Sequence, residues 1–162
     1  MTKPQFKVNV PELIVYHCTA TPADMDVDVA MVNDWHQKRG FYDIGYHFLI
    51  KRDGTLEVGR PIERYGAHAA GFNKDSVAIA MAGGVDKNMH PEDNFTDDQY
   101  AMLYGTSTSL LINYPTIIEI VGHYQLPNVA KACPSFDVDQ FVARHVSLTQ
   151  LMDANYARLY SK

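Results

Sequence analysis

Two stretches of the chain carry side chains that could hold a metal ion. One is an apolar run that ends at His17, and the other, VGHYQLPNVAKACPSFD, contains His123, Lys131 and Cys133. Prolines in the second stretch oppose a helix. Two strand ends could bring the histidines and the thiol together, and three ligands of mixed nitrogen and sulfur type suit zinc, with its fourth position open for water. The residue types therefore predict a zinc site made by His17, His123 and Cys133, with Lys131 as a fixed cation beside it.

Spacing alone leaves a second interpretation open. The chain has no CxxC pair and no HExxH helix, which are the compact zinc motifs. In this alternative, His17 and His123 are hydrogen-bonded core histidines and Cys133 is a buried thiol. Cys18 directly follows His17, so the two side chains of a strand would point to opposite faces. We therefore expect Cys18 to be a small buried hydrophobic residue and not a ligand.

The elements that must position these residues alternate between strands and helices. Short continuous apolar runs predict three buried strands at residues 13–17, 77–82 and 117–121. The segment GYHFLIKRDGTLEVGR adds a hairpin, because an Asp-Gly turn joins two strand patterns. One hairpin among strands separated by helices predicts an α/β fold, a single domain with a mixed central β-sheet of four or five strands flanked by helices.

Helix signals predict three or four helices. They run from Asp26 or Asp28 to about Arg39, from Thr96 to Pro115, over 137–145 and over 149–160. The second begins with a capping-box pattern. Residues 1–12 are polar and contain two prolines, which predicts an irregular N-terminal arm before a domain of residues 13–162. A loop over residues 62–74 is long enough to be functional.

Composition excludes several classes of function. The net charge is -5 and no basic run stands out, which argues against a nucleic-acid partner. No apolar run reaches the roughly 18 residues of a membrane span, so we predict no membrane insertion. The N-terminal residues lack the apolar core of a signal peptide, which predicts a protein that is cytoplasmic on synthesis. The two cysteines do not make a disulfide framework.

Five motifs resemble, in the same order, those of the type 2 N-acetylmuramoyl-L-alanine amidases. They are YHCTATP, GYHFLIKRDGTLEVGR, GAHAAGFNKDSVAIAMAGG, NFTDDQ and AKACPSFD. The resemblance covers roughly residues 6–145 and is closest to the small phage endolysins of that family, with the animal peptidoglycan recognition proteins as further relatives. It implies a zinc amidase that cleaves the bond between the lactyl group of N-acetylmuramic acid and L-alanine in peptidoglycan, with one Zn²⁺ per chain in a surface groove.

The resemblance also implies roles for single residues. The zinc ligands fall on His17, His123 and Cys133, and the two catalytic positions fall on Tyr46 and Lys131. The chemistry of amide hydrolysis agrees, because it needs a donor for the oxyanion and a proton route to the leaving amine. Lys131 is two residues from a ligand and would share its face in an extended segment. Tyr46 offers a phenol, although a tyrosine that only forms the groove wall is the simpler alternative.

The remaining histidines are predicted to have three kinds of role: substrate binding, structural support and simple surface exposure. His68 and Asn73 resemble family positions that line the glycopeptide groove, which predicts substrate binding by both. His47 adjoins Tyr46 on a predicted strand, so it should face away and be structural. Three others are predicted to be surface histidines: His36, His90 and His145.

Two further functions compete with peptidoglycan hydrolysis. Some relatives of the fold bind peptidoglycan without cleaving it, and they lack the metal thiolate, so Cys133 argues against a purely binding module. The resemblance also implies a possible protein partner, a phage RNA polymerase, for which residues 1–12 are the candidate contact. Glu12, Glu57 and Glu63 form no usable carboxylate pair for a glycosidase. We predict a monomeric endolysin that reaches the cell wall through a separate membrane-permeabilising protein, with a cytoplasmic recycling amidase as the alternative.

Overall fold

Five strands and three α-helices make up the part of the chain that the structure, a computed structural model, describes. That part comprises residues 9–145 together with residues 153, 155, 157 and 158. In chain order the elements are β1 (Leu13–Cys18), α1 (Val29–Lys38), β2 (Phe48–Ile50), β3 (Leu56–Val58), β4 (Ser76–Met81), α2 (Asp97–Asn113), β5 (Glu119–Gly122) and α3 (Val138–Arg144). A short 3-10 helix, His123–Gln125, directly follows β5.

The sheet is mixed, and its strand order is β3-β2-β4-β1-β5. β1 lies between β4 and β5 and runs parallel to both, and β2 runs parallel to β4. β3 is antiparallel to β2 and forms the edge of the sheet. The predicted mixed sheet flanked by helices is therefore confirmed. All six residues of β4 are buried, as expected for a parallel strand covered on both faces.

Alternation along β1 decides which side of the sheet carries the candidate ligand. Ile14 and Tyr16 belong to the core cluster that contains Leu103 and Leu111 of α2. Val15 packs on the opposite face, in a cluster with Ala69 and Val121. Because side chains alternate along a strand, His17 projects to the face of Val15. The register of the parallel pair places Tyr16 opposite Gly122, so His17 and His123 follow at the same edge of the sheet.

Both long helices begin as their sequences predict. Asp28 caps α1, and its carboxylate accepts a hydrogen bond from the Met31 amide. Thr96 caps α2 with both halves of the capping box formed, and the neighbouring rings of Phe95 and Tyr100 lie 6.0 Å apart. Such caps satisfy amides that would otherwise have no partner in the first helical turn. None of the helices within the described residues is long and apolar enough to cross a membrane.

The hairpin is shorter than its sequence pattern. Its two strands have three residues each, although hydrogen bonds from the Gly59 amide to the His47 carbonyl and from the Arg60 amide to the Tyr46 carbonyl continue the pairing. Tyr46 thus lies just before β2 and not within a regular strand. Residues 1–8 of the predicted arm and most of the predicted helix over 149–160 lie outside the described residues. Residues 9–12 have no regular secondary structure.

Candidate metal centre and surrounding cavity

Three side chains from distant parts of the sequence converge at one edge of the sheet. The ligand atoms of His17, His123 and Cys133 all lie within 4.8 Å of one another, and His17 Nδ1 is 3.7 Å from Cys133 Sγ. Two tetrahedral zinc bonds of ordinary length place their ligand atoms about 3.5 Å apart. The donor set of two imidazoles and one thiol also favours zinc over magnesium or calcium. The residues present therefore fit a zinc ion.

Backbone contacts hold Cys133 beside the end of β1. The Cys18 amide donates to Cys133 Sγ at 3.3 Å, and the Tyr124 amide donates to the Cys133 carbonyl at 2.9 Å. Cys18 itself is buried, and its side chain is not part of the three-residue cluster. Lys131 lies at a bend and not in an extended segment, in a loop where Asn128 and Ser135 adopt left-handed conformations. Lys131 and Cys133 nevertheless line the same cavity.

Burial lowers the pKa of both candidate histidine ligands. It is the main reason that the pKa of His17 lies well below the ordinary histidine value, and nearby His68 and His123 lower it further. Burial also lowers the pKa of His123, with Lys131 as the second cause. Neutral imidazole is the form that binds a metal ion. The environment therefore favours the ligand form of both side chains near neutral pH.

Tyr46 and Lys131 lie at the cavity that surrounds these ligands. The cavity has a volume of about 500 Å³. The half-buried ring of Tyr46 is centred 5.0 Å from the ring of His17. Burial raises the pKa of Tyr46, with Cys133 as a further cause, so its hydroxyl keeps its proton near neutral pH. Lys131 is exposed at the cavity mouth, and together with Arg39 it gives the described part of the lining two cations and no carboxylate.

His68 and Asn73 also line the cavity, and both make contacts within the protein. Asn73 Oδ1 accepts hydrogen bonds from the amides of His68 and Ala69, at 2.8 and 3.0 Å. His68 Nδ1 lies 2.9 Å from His17 Nε2, and its other ring nitrogen lies 3.0 Å from Ser76 Oγ. The long loop over residues 62–74 thus places His68 directly behind a candidate ligand.

The prediction that His36 is a surface residue is wrong. Its side chain is buried, its Nδ1 accepts a hydrogen bond from the Gly45 amide at 2.9 Å, and its ring packs against Tyr46 and Phe41. The sequence held a signal for this burial, because His36 follows Val32 by one helical turn on the apolar face of α1. His36 therefore supports the wall that carries Tyr46.

The burial of the other histidines agrees with their predicted roles in two cases and partly in the third. His47 is fully buried, and its Nδ1 accepts from the Ala78 amide at 3.0 Å, in agreement with a structural role. His90 is exposed, as predicted. His145 is half-buried against Tyr104 and Phe141, so it is a partial exception to the predicted surface position.

A partly buried ion-pair cluster, which sequence reasoning missed, connects the Tyr46 segment to the long loop. Arg60 donates to the carbonyls of Ile44 and Tyr65 and to the carboxylate of Asp43. Arg64 donates to the second oxygen of that carboxylate at 2.8 Å. Buried charges are tolerated when they are paired and hydrogen-bonded in this way. No local pattern in the sequence predicts such a cluster, because its members come from two loops.

Gly45 lies where the backbones of these two loops are in direct contact, and its replacement should destabilise the fold. A Cβ atom at this position would lie 2.1 Å from the Ala67 carbonyl oxygen, so Gly45→Ala would push the loops apart. We expect a loss of about 1–3 kcal/mol in the free energy of unfolding, measured with urea.

Gly105→Ala is the control for this prediction, because an added Cβ meets no atom within 4 Å. It should stabilise α2 by about 0.5–1 kcal/mol. Equal stability of the two variants would contradict the close approach.

Comparison with known proteins identifies the family. Residues 7–136 match the protein-family profile described as N-acetylmuramoyl-L-alanine amidase. The chain belongs to the N-acetylmuramoyl-L-alanine amidase family. The amidase is 42% identical over 143 residues to an endolysin of Enterobacteria phage K11, an alignment that covers 88% of this chain and 93% of the relative. It is 37% identical over 150 residues to an endolysin of Escherichia phage T7, with 92% and 97% covered.

A solved structure supports the same assignment. The N-acetylmuramoyl-L-alanine amidase LysC from Clostridium intestinale URNW is similar to the amidase with a TM-score of 0.73 and 27% sequence identity, over 90% of this chain and 95% of that one. The predictions of the family, the fold and an amidase enzyme are therefore confirmed.

Proposed function

We propose that this amidase hydrolyses the bond between N-acetylmuramic acid and L-alanine in peptidoglycan, with one zinc ion held by His17, His123 and Cys133. The observation that carries the proposal is the convergence of these three ligand atoms within 4.8 Å of one another. Tyr46 and Lys131 line the same cavity, so metal ligands and candidate donors lie around one volume. A zinc ion bound at these side chains would supply a Lewis acid and an activated water.

Lys131 would act on the substrate carbonyl. Hydrolysis of an amide places negative charge on that oxygen in the transition state, and a fixed cation stabilises this charge more than the neutral ground state. The described cavity lining carries no carboxylate that would neutralise Lys131. Its position at the cavity mouth suits an approach to the oxygen from the solvent side.

Tyr46 would act as a hydrogen-bond donor or a proton relay. Burial raises the pKa of its hydroxyl, so the group carries a proton throughout the neutral range. A protonated phenol can donate to the carbonyl oxygen or pass a proton toward the leaving amine. The contact of His36 with the Tyr46 ring limits the orientations that this ring can adopt.

The competing functions have less support from the described residues. A module that only binds peptidoglycan has no need for a thiol and two imidazoles whose ligand atoms converge. A glycosidase would need paired carboxylates, and Glu12, Glu57 and Glu63 are absent from the described lining of the cavity. The arm proposed for an RNA polymerase contact lies mostly outside the described residues.

We further propose that the amidase acts as an endolysin of a phage or prophage. The support is its similarity, at 37–42% identity, to endolysins over almost their whole length. In this proposal the enzyme reaches the cell wall through a separate membrane-permeabilising protein. Expression with such a protein should lyse a host that expression of the amidase alone leaves intact. Equal growth with and without that protein would favour an intracellular recycling role.

Mass spectrometry of digested peptidoglycan tests the bond that is cleaved. The expected products are peptides with a new free L-alanine amine, together with glycan strands that have no new reducing ends. The physical reason is that a Lewis acid with an activated water attacks carbonyl carbon, whereas glycosidic cleavage uses two carboxylates. Cys133→Ser is the matched control and should release neither product. New reducing ends without new amines would overturn the proposed reaction.

A further inference from the structure

A chain of hydrogen bonds runs from the candidate metal centre to a backbone carbonyl. His17 Nδ1 faces Cys133 Sγ at 3.7 Å, and His17 Nε2 faces His68 Nδ1 at 2.9 Å. His68 Nε2 then lies 3.0 Å from Ser76 Oγ. Ser76 Oγ in turn lies 2.6 Å from the Phe72 carbonyl oxygen. Three protein groups, the His68 ring, the Ser76 hydroxyl and the Phe72 carbonyl, are thus connected in series behind the candidate ligand His17.

The Phe72 carbonyl, at the end of the series, fixes which group donates in each of the hydrogen bonds. A carbonyl oxygen can only accept, so the Ser76 hydroxyl donates to Phe72. Ser76 Oγ is then the acceptor for His68 Nε2–H, which makes His68 Nδ1 the unprotonated nitrogen of a neutral ring. His68 Nδ1 accepts from His17 Nε2–H. The lone pair of His17 therefore lies on Nδ1, the nitrogen that faces Cys133.

We propose that His68 and Ser76 are positioning residues, which hold His17 in the tautomer that can bind zinc before the metal arrives. The inference rests on the proposed zinc site, and it concerns the protein groups behind the ligand. A ligand that needs no tautomer change and no ring rotation loses less freedom on binding the metal. His68 and Ser76 would therefore raise zinc affinity without touching the ion.

Burial prevents water from taking the place of a group in this series. His17 is 1% exposed and Ser76 is fully buried, so water has little access to replace a missing partner. Ser76 is the first residue of β4, whose register beside β1 fixes its position relative to His17. Asn73 holds the other member, because its side-chain oxygen accepts from the His68 amide. The serine and the histidine are thus each anchored by a different element.

The proposal changes the role predicted for His68. Both of its ring nitrogens have partners within the protein, at Nδ1 and at Nε2. A ring engaged on both sides has no nitrogen left for a hydrogen bond to substrate. His68 can still form part of the cavity wall with its carbon edge, while its polar atoms serve His17.

Nitrogen NMR of the metal-free protein measures the tautomer directly. Long-range ¹H–¹⁵N correlations of the full-length chain, after zinc removal with a chelator, should find both His17 and His68 protonated at Nε2. Ser76→Ala removes the hydroxyl oxygen that accepts from His68 Nε2–H, so a substantial fraction of His17 should move to the Nδ1-protonated tautomer. Ser107→Ala is the matched control, because it removes a buried serine hydroxyl that meets Tyr16 at 2.6 Å on the other face of the sheet. It should leave both histidine spectra unchanged.

Zinc affinity, measured by competition with a chromophoric chelator, gives the second readout. Ser76→Ala and His68→Phe should each weaken zinc binding by about 10- to 100-fold, the usual effect of removing a partner behind a ligand. His68→Phe keeps a ring in the wall, so it serves if Ser76→Ala fails to fold. Ser107→Ala should bind zinc as the unmodified protein does.

Two results would overturn the positioning role. One is His17 protonated at Nδ1 in the metal-free protein. The other is unchanged zinc affinity in folded Ser76→Ala or His68→Phe. Failure of the proposed function would look different, because the unmodified protein itself would then bind no zinc.

Discussion

Cys133→Ser is expected to lose zinc while keeping its fold. Serine has nearly the same shape, but it lacks the soft thiolate that favours zinc. Loss of a partner behind a ligand costs about 10- to 100-fold in affinity, so loss of a ligand should cost more than about 100-fold. Metal analysis after dialysis should give about one zinc per chain for the unmodified protein and almost none for the variant.

The second cysteine provides the control for this experiment. Cys18→Ser keeps the backbone amide that donates to Cys133 Sγ, and the Cys18 side chain is outside the three-residue ligand cluster. It should therefore retain zinc. Loss of zinc from both variants would mean that Cys18 takes part in binding the metal. Full zinc content in Cys133→Ser would remove Cys133 from the ligand set.

Lys131→Met and Tyr46→Phe should each reduce the rate of amide hydrolysis by about 10²- to 10³-fold, equivalent to roughly 2.7–4 kcal/mol of transition-state stabilisation. Methionine keeps the length of the lysine and removes its charge, and phenylalanine keeps the ring and removes only the hydroxyl. Each variant should still bind zinc and peptidoglycan, because the lost interaction is strongest in the transition state. Turnover is measured as the release of new L-alanine amines.

Two controls show whether Lys131 and Tyr46 act in catalysis or only support the structure. They are the zinc content of each variant and the turnover of a variant at a lysine outside the cavity. Lys87 is exposed and is not among the residues that line the cavity around the candidate metal ligands, so Lys87→Met should keep normal turnover. Unchanged activity in Tyr46→Phe would leave Tyr46 as a wall residue only. Loss of zinc from the Lys131 or Tyr46 variant would assign that side chain to support of the metal site.

The strands and helices that depend on short sequence patterns could be predicted from the sequence. The apolar run before His17 predicted a buried strand, and the Thr96 capping box predicted the start of α2. The positions of His17 and His123 at strand ends followed from the same runs, because parallel neighbours end at a common edge. The resemblance of the motifs to a known family supplied the roles that spacing alone left open.

The contacts that required knowledge of loop paths could not be predicted. His36 and His68 form hydrogen bonds with Gly45 and His17, which are distant in sequence or reached through an irregular turn. The bend between Asn128 and Ser135 replaced the predicted extended segment, because two left-handed residues redirect the chain. In these places, packing between loops decides the structure, and the local sequence pattern carries little information about it.

The separation of the candidate ligands along the chain has a consequence for biosynthesis. His17 and Cys133 are 116 residues apart in sequence, yet their ligand atoms are neighbours in the folded protein. A metal ion at this site would close a very large loop, and the free energy of binding would add to the stability of the folded chain. A nascent chain that ends before Cys133 lacks one of the three ligands. In the proposed zinc site, the complete ligand set would therefore form only after synthesis has passed Cys133.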